Sequence, residues 1–230
     1  PSDPAPFTTT RPAVSLSTSR TARHSSRVHH PDRDSRTDIL DAASSLIADG
    51  GFVAVTTRNI AELTGMASGA VERQFGSHED LLAEMFQRLA ATELAAVDHA
   101  SRTHGPSAIE RLTALVGTFA TRALHGRHTA EALLFEPVGA RVNQERLTCR
   151  RQYHALIVGI IADGVGSGEL PAQNPTTSAR AVTGTVIESL LGYLSPTVPV
   201  SGDGRDAKDA TPLIDEVTEL VLRLVGAHCR

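Results

Sequence analysis

From Ser35 onward the apolar positions fall into a helical rhythm. Ile39, Leu40, Ala43, Leu46 and Ile47 recur three and four residues apart, which puts them on one stripe of a helix. Gly50 and Gly51 end that stripe, and Phe52 and Val55 follow as expected buried anchors. Thr56 predicts the N-cap of a short helix that runs to Thr64, where Gly65 breaks it. A third short segment spans about Ala67 to Gln74. Ser77 and Asp80 have the spacing of a capping box, and Leu81, Leu82, Met85 and Leu89 carry the next helix to about Arg102, before Gly105 and Pro106. Ser107 with Glu110 repeats that signal, opening the stripe Ile109, Leu112, Leu115, Val116, Phe119, Ala123, which Gly126 closes. A short segment around Thr129 to Glu136 stops at Pro137. A long helix is predicted from Asn143 to Val165, with Leu147, Tyr153, Leu156, Ile157, Ile160 and Ile161 inward. Asn174 and Pro175 form a cap followed by a proline at the first helical position, where its missing N–H costs nothing. The helix they open carries Val182, Val186, Ile187, Leu190, Leu191 and Leu194. After a polar loop over 195–210, Thr211 and Pro212 open a last helix with Leu213, Val217, Leu220, Val221 and Leu224 on one face. The pattern predicts an all-α fold of nine helices, without a strand or an internal repeat.

Composition sharpens this picture. Apolar residues make up 40% of the 230 positions but aromatics only 3%, so the core rests on aliphatic side chains, a palette that suits packed helices. The longest apolar run, Ala155 to Ala162 with Gly159 inside it, is far short of the roughly 18 residues that span a bilayer. The N-terminal stretch has no hydrophobic core of a signal peptide. Cys149 and Cys229 lie too far apart to suggest a disulfide framework. Together these features imply a cytoplasmic protein that does not engage a membrane.

The formal net charge is -4, so no global basic field advertises a nucleic-acid partner. Residues 1–33 are different. They are rich in Ser, Thr, Pro, Arg and His, with Arg11, Arg20, Arg23, Arg27 and Arg33 against Asp3 and Asp32, a net of +3. They read as a disordered basic tail, either a solvated leader or an arm that follows DNA.

Residues 57–75, TRNIAELTGMASGAVERQF, have the steric plan of a helix-turn-helix. Ala61 is small where two helices cross, and Gly65 sits where the chain turns out of the first helix. Ile60, Met66 and Val71 fill the wedge, leaving the second helix free to enter a major groove. The wider stretch 36–86 resembles the N-terminal domain of the TetR family of regulators. The resemblance runs through the glycine pair with Phe52, Thr56-Thr57, Ile60-Ala61, Gly65, Gly69, Phe75, Ser77 and Glu79-Asp80-Leu81-Leu82. It implies a DNA-binding domain over 34–77 and an effector-binding and dimerisation domain over 78–230. It also implies double-stranded operator DNA and a small-molecule effector as partners. Thr57, Arg58, Ser68 and His78 would contact phosphates, Ser68, Ala70, Arg73 and Gln74 would face base edges, and Arg36 would be a further DNA-binding residue. Arg73 suits guanine and Gln74 adenine, since each can form paired hydrogen bonds there. The chain departs from the family at Glu72, where an aromatic is usual, and at His78, where lysine is usual. Residues 34–76 hold three arginines against six acids, a net of -3, which is unfavourable beside a polyanion.

In that family the ligand lies within the second domain, on the inner faces of the helices at 107–125, 129–136 and 143–165. Phe119, Phe135, Tyr153 and Ile157 are the candidate apolar wall, and Arg122, His154 and Glu188 the candidate polar contacts. The scarcity of aromatics implies an aliphatic wall and a largely apolar effector. His125 and His128 stand three apart but lack a third ligand type nearby, so neither a metal nor a cofactor is assigned. No nucleophile elbow or dinucleotide fingerprint is present. The helices at 175–195 and 212–227 are too apolar for a monomer surface and predict a homodimer with close contact at Gly184. The alternative is that both stripes bury within one subunit. Two functions remain open. The leading one is a repressor released from its operator by its effector. The other is a small-molecule-binding protein or enzyme on the same scaffold, with a vestigial head.

Overall fold

The computed structural model describes residues 31–195 and 210–227, and within the first of these the side chains from Ser35 onward. Residues 1–30, which hold nearly all of the expected basic tail, and 196–209, most of the polar loop, lie outside the described residues. The described chain forms nine α-helices and one 3-10 turn: α1 (Pro31–Gly50), the turn (Phe52–Ala54), α2 (Thr57–Thr64), α3 (Ser68–Phe75), α4 (His78–Thr103), α5 (Ala108–His125), α6 (Arg127–Leu134), α7 (Ala140–Ser167), α8 (Pro175–Leu194) and α9 (Thr211–Leu224). Helix α1 begins four residues before the expected Ser35, and α7 begins three residues before Asn143.

The helix starts follow from local hydrogen bonding. The Thr56 side chain accepts from the Asn59 amide, Ser77 from Asp80, and Asn174 from Thr177. Ser107 and Glu110 form a complete capping box on α5. Each such cap contributes about 1 kcal/mol. Glu169 adds a second layer at α5: its carboxylate accepts from the Ser107 hydroxyl and from the Ala108 and Ile109 amides, the Ala108 bond at 2.7 Å.

Two hydrophobic cores result. The head core gathers Ile39, Ala43 and Ile47 of α1, Phe52, Val55, Ile60, Val71 and Phe75, and Leu81, Met85 and Phe86 of α4. The second core joins Val97 of α4 to Leu112 and Val116 of α5, Ile157, Ile160 and Ile161 of α7, Val182, Val186 and Leu190 of α8, and Val217 and Val221 of α9. Helix α4 therefore belongs to both cores. The inward stripes of α8 and α9 are consumed inside the subunit, as the alternative reading allowed. What remains outward on α9 is Leu220 at 40% and Leu224 at 38% exposure. Among the described residues no helix is long and apolar enough to cross a membrane.

Candidate functional site

The head positions α3 by wedging it from beneath. Val71 and Phe75 are 2% and 7% exposed, and Ile60 of α2 is fully buried under them. The turn between the helices depends on Gly65 at φ 70°, a left-handed value that a side chain would strain, with its amide donating to the Ala61 carbonyl. Ser68, Glu72 and Arg73 are then left on the exposed face of α3, with Ala70 and Gln74 half-buried beside it. The Arg73 guanidinium folds back along the helix, its Nη1 3.5 Å from where a methyl group on Gly69 would stand. Arg58 and His78 are exposed and Thr57 is half-buried. Arg58 pairs with Glu62 one turn along α2 at 3.2 Å, both side chains largely in solvent, a pair that contributes little to stability.

Arg36 does not belong to this surface set. Its guanidinium pairs with Glu84 of α4, donates to the Gln74 carbonyl at the end of α3, and stacks 4.1 Å from the centroid of the Phe75 ring. With its donors so engaged it ties α1, α3 and α4 together, which sets it apart from the other expected DNA-binding residues. Arg73 is the one cation of α3, and the exposed Glu72 stands beside it.

A cavity of about 710 Å³ lies between α4, α5, α6, α7 and α8, with α1 at its edge. Its wall is aliphatic and aromatic: Phe86, Leu89, Leu115, Phe119, Leu133, Ile157, Val182 and Val186 among others. Of the residues expected there, Phe119, Arg122, Tyr153 and Ile157 line it. Phe135, His154 and Glu188 do not. Phe135 lines a separate, smaller cavity with Gly50, Val53 and Leu191. Glu188 is exposed on α8. His154 is half-buried, and burial, together with the charges of Arg180 and Arg150, pushes its pKa down. His125 and His128 point their Nδ1 atoms at the Thr121 and Ala48 carbonyls, at 2.7 and 3.0 Å.

The wall also holds polar residues that sequence reasoning missed: Glu93, Arg146, Cys149 and Arg150. Glu93 takes Arg122 in a two-pronged pair at 2.6 and 2.7 Å. Arg146 donates to the Leu133, Ala132 and Glu136 carbonyls at 2.9, 3.1 and 2.8 Å, holding the end of α6. Burial pushes the Cys149 thiol pKa up, so it remains a neutral wall group. Tyr153 meets Phe119 edge to face at 5.8 Å between ring centroids, and its hydroxyl is buried with no hydrogen-bonding partner in the protein. Leaving such a group unpaired costs about 1–3 kcal/mol.

Head and cavity are joined at three places. Helix α4 runs through both cores. Helix α1 contributes Ser44 and Ala48 to the cavity wall. The third junction is Glu136, just past α6: its carboxylate accepts from the Phe52 amide at 2.7 Å and the Val53 amide at 3.0 Å. It approaches so closely that a side chain on Gly51, itself at φ 73°, would collide with it at 2.6 Å. The same Glu136 gives its backbone carbonyl to Arg146 of the cavity wall.

Comparison with known proteins agrees with this geometry. Residues 39–85 match the family model described as bacterial regulatory proteins, tetR family. The transcriptional repressor KstR2 of Rhodococcus jostii RHA1 is 30% identical over 137 residues, which cover 58% of this chain and 66% of the repressor, just under two thirds of its length. The structure of the regulator FadR from Bacillus subtilis in complex with stearoyl-CoA has a TM-score of 0.67 at 19% identity, covering 84% of this chain and 99% of FadR. A TetR/AcrR-family regulator from Thermobifida fusca YX-ER1 has a TM-score of 0.61 at 26% identity, covering 86% of this chain and 100% of its own. Residues 39–85 thus match the tetR family of bacterial regulatory proteins, and the described helical fold is similar to that of these solved regulators.

Proposed function

We propose that this protein is a DNA-binding transcriptional repressor released from its operator by a small, largely apolar effector held in the cavity between α4 and α8. The observation that carries the reading is the exposed face of α3, with Ser68 and Arg73 free to meet a major groove, on a head whose two supporting helices also wall the cavity. A ligand that fits one setting of α1 and α4 better than another shifts the balance between them, and the heads move with those helices. Thr57, Arg58, Ser68 and His78 are the proposed phosphate contacts, with Ser68, Ala70, Arg73 and Gln74 facing base edges. The arginines of residues 1–33 would supply the positive charge that the head lacks.

The working unit is a homodimer through the outer faces of α8 and α9, within residues 175–195 and 212–227. Gly184 supports this: a methyl group added there would meet nothing within 4 Å, so another backbone can approach closely. Leu220 and Leu224 offer the apolar remainder. The protein is cytoplasmic, and no catalytic role is assigned to it.

The aliphatic wall fits a hydrocarbon-rich effector. Since FadR was crystallised with stearoyl-CoA, a long-chain acyl thioester is the first effector to try. The test is a gel shift on DNA flanking the gene, with and without stearoyl-CoA. Retardation of that DNA, and not of unrelated DNA, supports the repressor. Ligand binding without any retardation favours the small-molecule-binding alternative with a vestigial head.

A further inference from the structure

We propose that the Tyr153 hydroxyl is the specificity-determining donor of the cavity, selecting effectors with an apolar body and one uncharged acceptor oxygen, such as a ketone or ester carbonyl. The proposal rests on the reading of this cavity as the effector site. The hydroxyl is buried and finds no partner in the protein. Its place is fixed, because the ring is held edge to face against Phe119 and the two residues share the cavity wall. A buried donor without a partner is the group that an incoming acceptor satisfies at no cost to any existing bond.

Burial disfavours an anion at this spot, because an unpaired charge taken out of water is costly. Glu93 lies in the same wall, but both its oxygens accept from Arg122, so that pair brings no net charge to the phenol. Neither nearby guanidinium is free to pair with an incoming anion, Arg122 being held by both Glu93 oxygens and Arg146 by three backbone carbonyls. Arg150 is the other cation of the wall and is exposed, so an anionic group would sit there, toward solvent. Burial also raises the phenol pKa far above neutrality, so Tyr153 keeps its proton and acts as a donor. A site built to hydrogen-bond a ligand oxygen discriminates against the analogue lacking it much more strongly than an apolar pocket discriminates on size.

The experiment uses the full chain with Nile red as a displaceable apolar dye and three probes of equal length: undecanone, undecane and undecanoate. Undecanone should bind wild type about tenfold more tightly than Tyr153→Phe. Undecane should bind both forms alike, and undecanoate should bind wild type less tightly than undecanone. The thermal midpoint of Tyr153→Phe should equal or exceed that of wild type, since no internal hydrogen bond is lost. A fall in that midpoint would mean that the hydroxyl already has an internal partner, and would overturn the proposal. Equal binding of undecanone to both forms would overturn it too, while leaving the cavity as the ligand site. Failure of every probe to displace the dye from wild type would overturn the effector-site reading and the proposal with it.

Discussion

Arg36 faces Glu84 and the end of α3, whereas Arg73 faces solvent from the opposite side of that helix, and the difference decides what each can do. Arg36 is a half-buried tie across α1, α3 and α4. Removing it strands a carboxylate and a helix-terminal carbonyl, so Arg36→Ala should lower the thermal midpoint. Arg73 has its guanidinium free of the core. Arg73→Ala should leave the melting curve unchanged and abolish sequence-selective binding, because a two-pronged contact to guanine carries roughly 1–3 kcal/mol of discrimination and a dimer loses it twice. Glu72 stands exposed beside it and repels phosphate, so Glu72→Tyr should tighten binding to specific and unrelated DNA together. Competitive gel shifts with operator and scrambled DNA separate the two effects. Identical competition curves for wild type and Arg73→Ala would mean that α3 does not read bases.

At the scale of elements, the junctions between head and cavity carry the testable content. Glu136→Ala removes the acceptor of two amides in the 3-10 turn, and should cost about 1–2 kcal/mol because one of those amides is exposed. Hydrogen exchange at Phe52 and Val53 should accelerate, while the amides of α5 stay protected. Effector should then release DNA less completely from this variant, since one of the three links has been cut. Unchanged exchange at both amides would contradict the tie. Glu169 offers a pH test. Burial opposes its charge, but the bonds from Ser107, Ala108 and Ile109 outweigh burial and hold its pKa below the ordinary carboxylate value. A depressed folded pKa stabilises the protein above the unfolded value of about 4.3, and that stability is lost as pH falls through the lower folded value. Glu169→Gln should therefore melt earlier than wild type at pH 7, and the gap should close progressively below about pH 4. A gap that persists at acid pH would mean that the carboxylate's charge is not what holds α5. These elements also mark what was legible in sequence. Caps such as Ser107 with Glu110 and stops such as Gly65 act through neighbours a few residues away, so their local spelling suffices, and all nine helices were readable from it. Glu136 meets Phe52 across 84 residues, and no periodicity reports such a contact. The cavity wall failed for a different reason. Helix α7 presents Arg146, Cys149, Tyr153 and Ile157 to the cavity at helical spacing, and His154 is only one residue along, yet that step turns it by about 100°. Its pattern fixes a stripe but not whether the stripe faces a packed core or a hollow.

On the proposed reading, two heads must sit about 34–36 Å apart to engage successive major grooves, so DNA binding and dimerisation would be a single requirement. One subunit already buries Val182, Val186 and Leu190 of α8 and Val217 and Val221 of α9 in its own core. The proposed dimer is therefore left with the outer faces, and Leu191 is a poor probe because it lines the smaller cavity beside Gly50. Leu220 and Leu224 are better, being exposed one turn apart on α9. Placing Leu220→Glu and Leu224→Glu together sets four carboxylates against one another across a two-fold interface while leaving the buried stripe untouched. Light scattering should show wild type as a dimer at micromolar concentration and the double variant as a monomer, with helicity by circular dichroism retained. Gel shifts should then show loss of the operator complex even though Arg73 and the whole head are intact. A double variant that remains dimeric would place the interface elsewhere, and a monomer that still gives the full operator footprint would break the link between pairing and recognition.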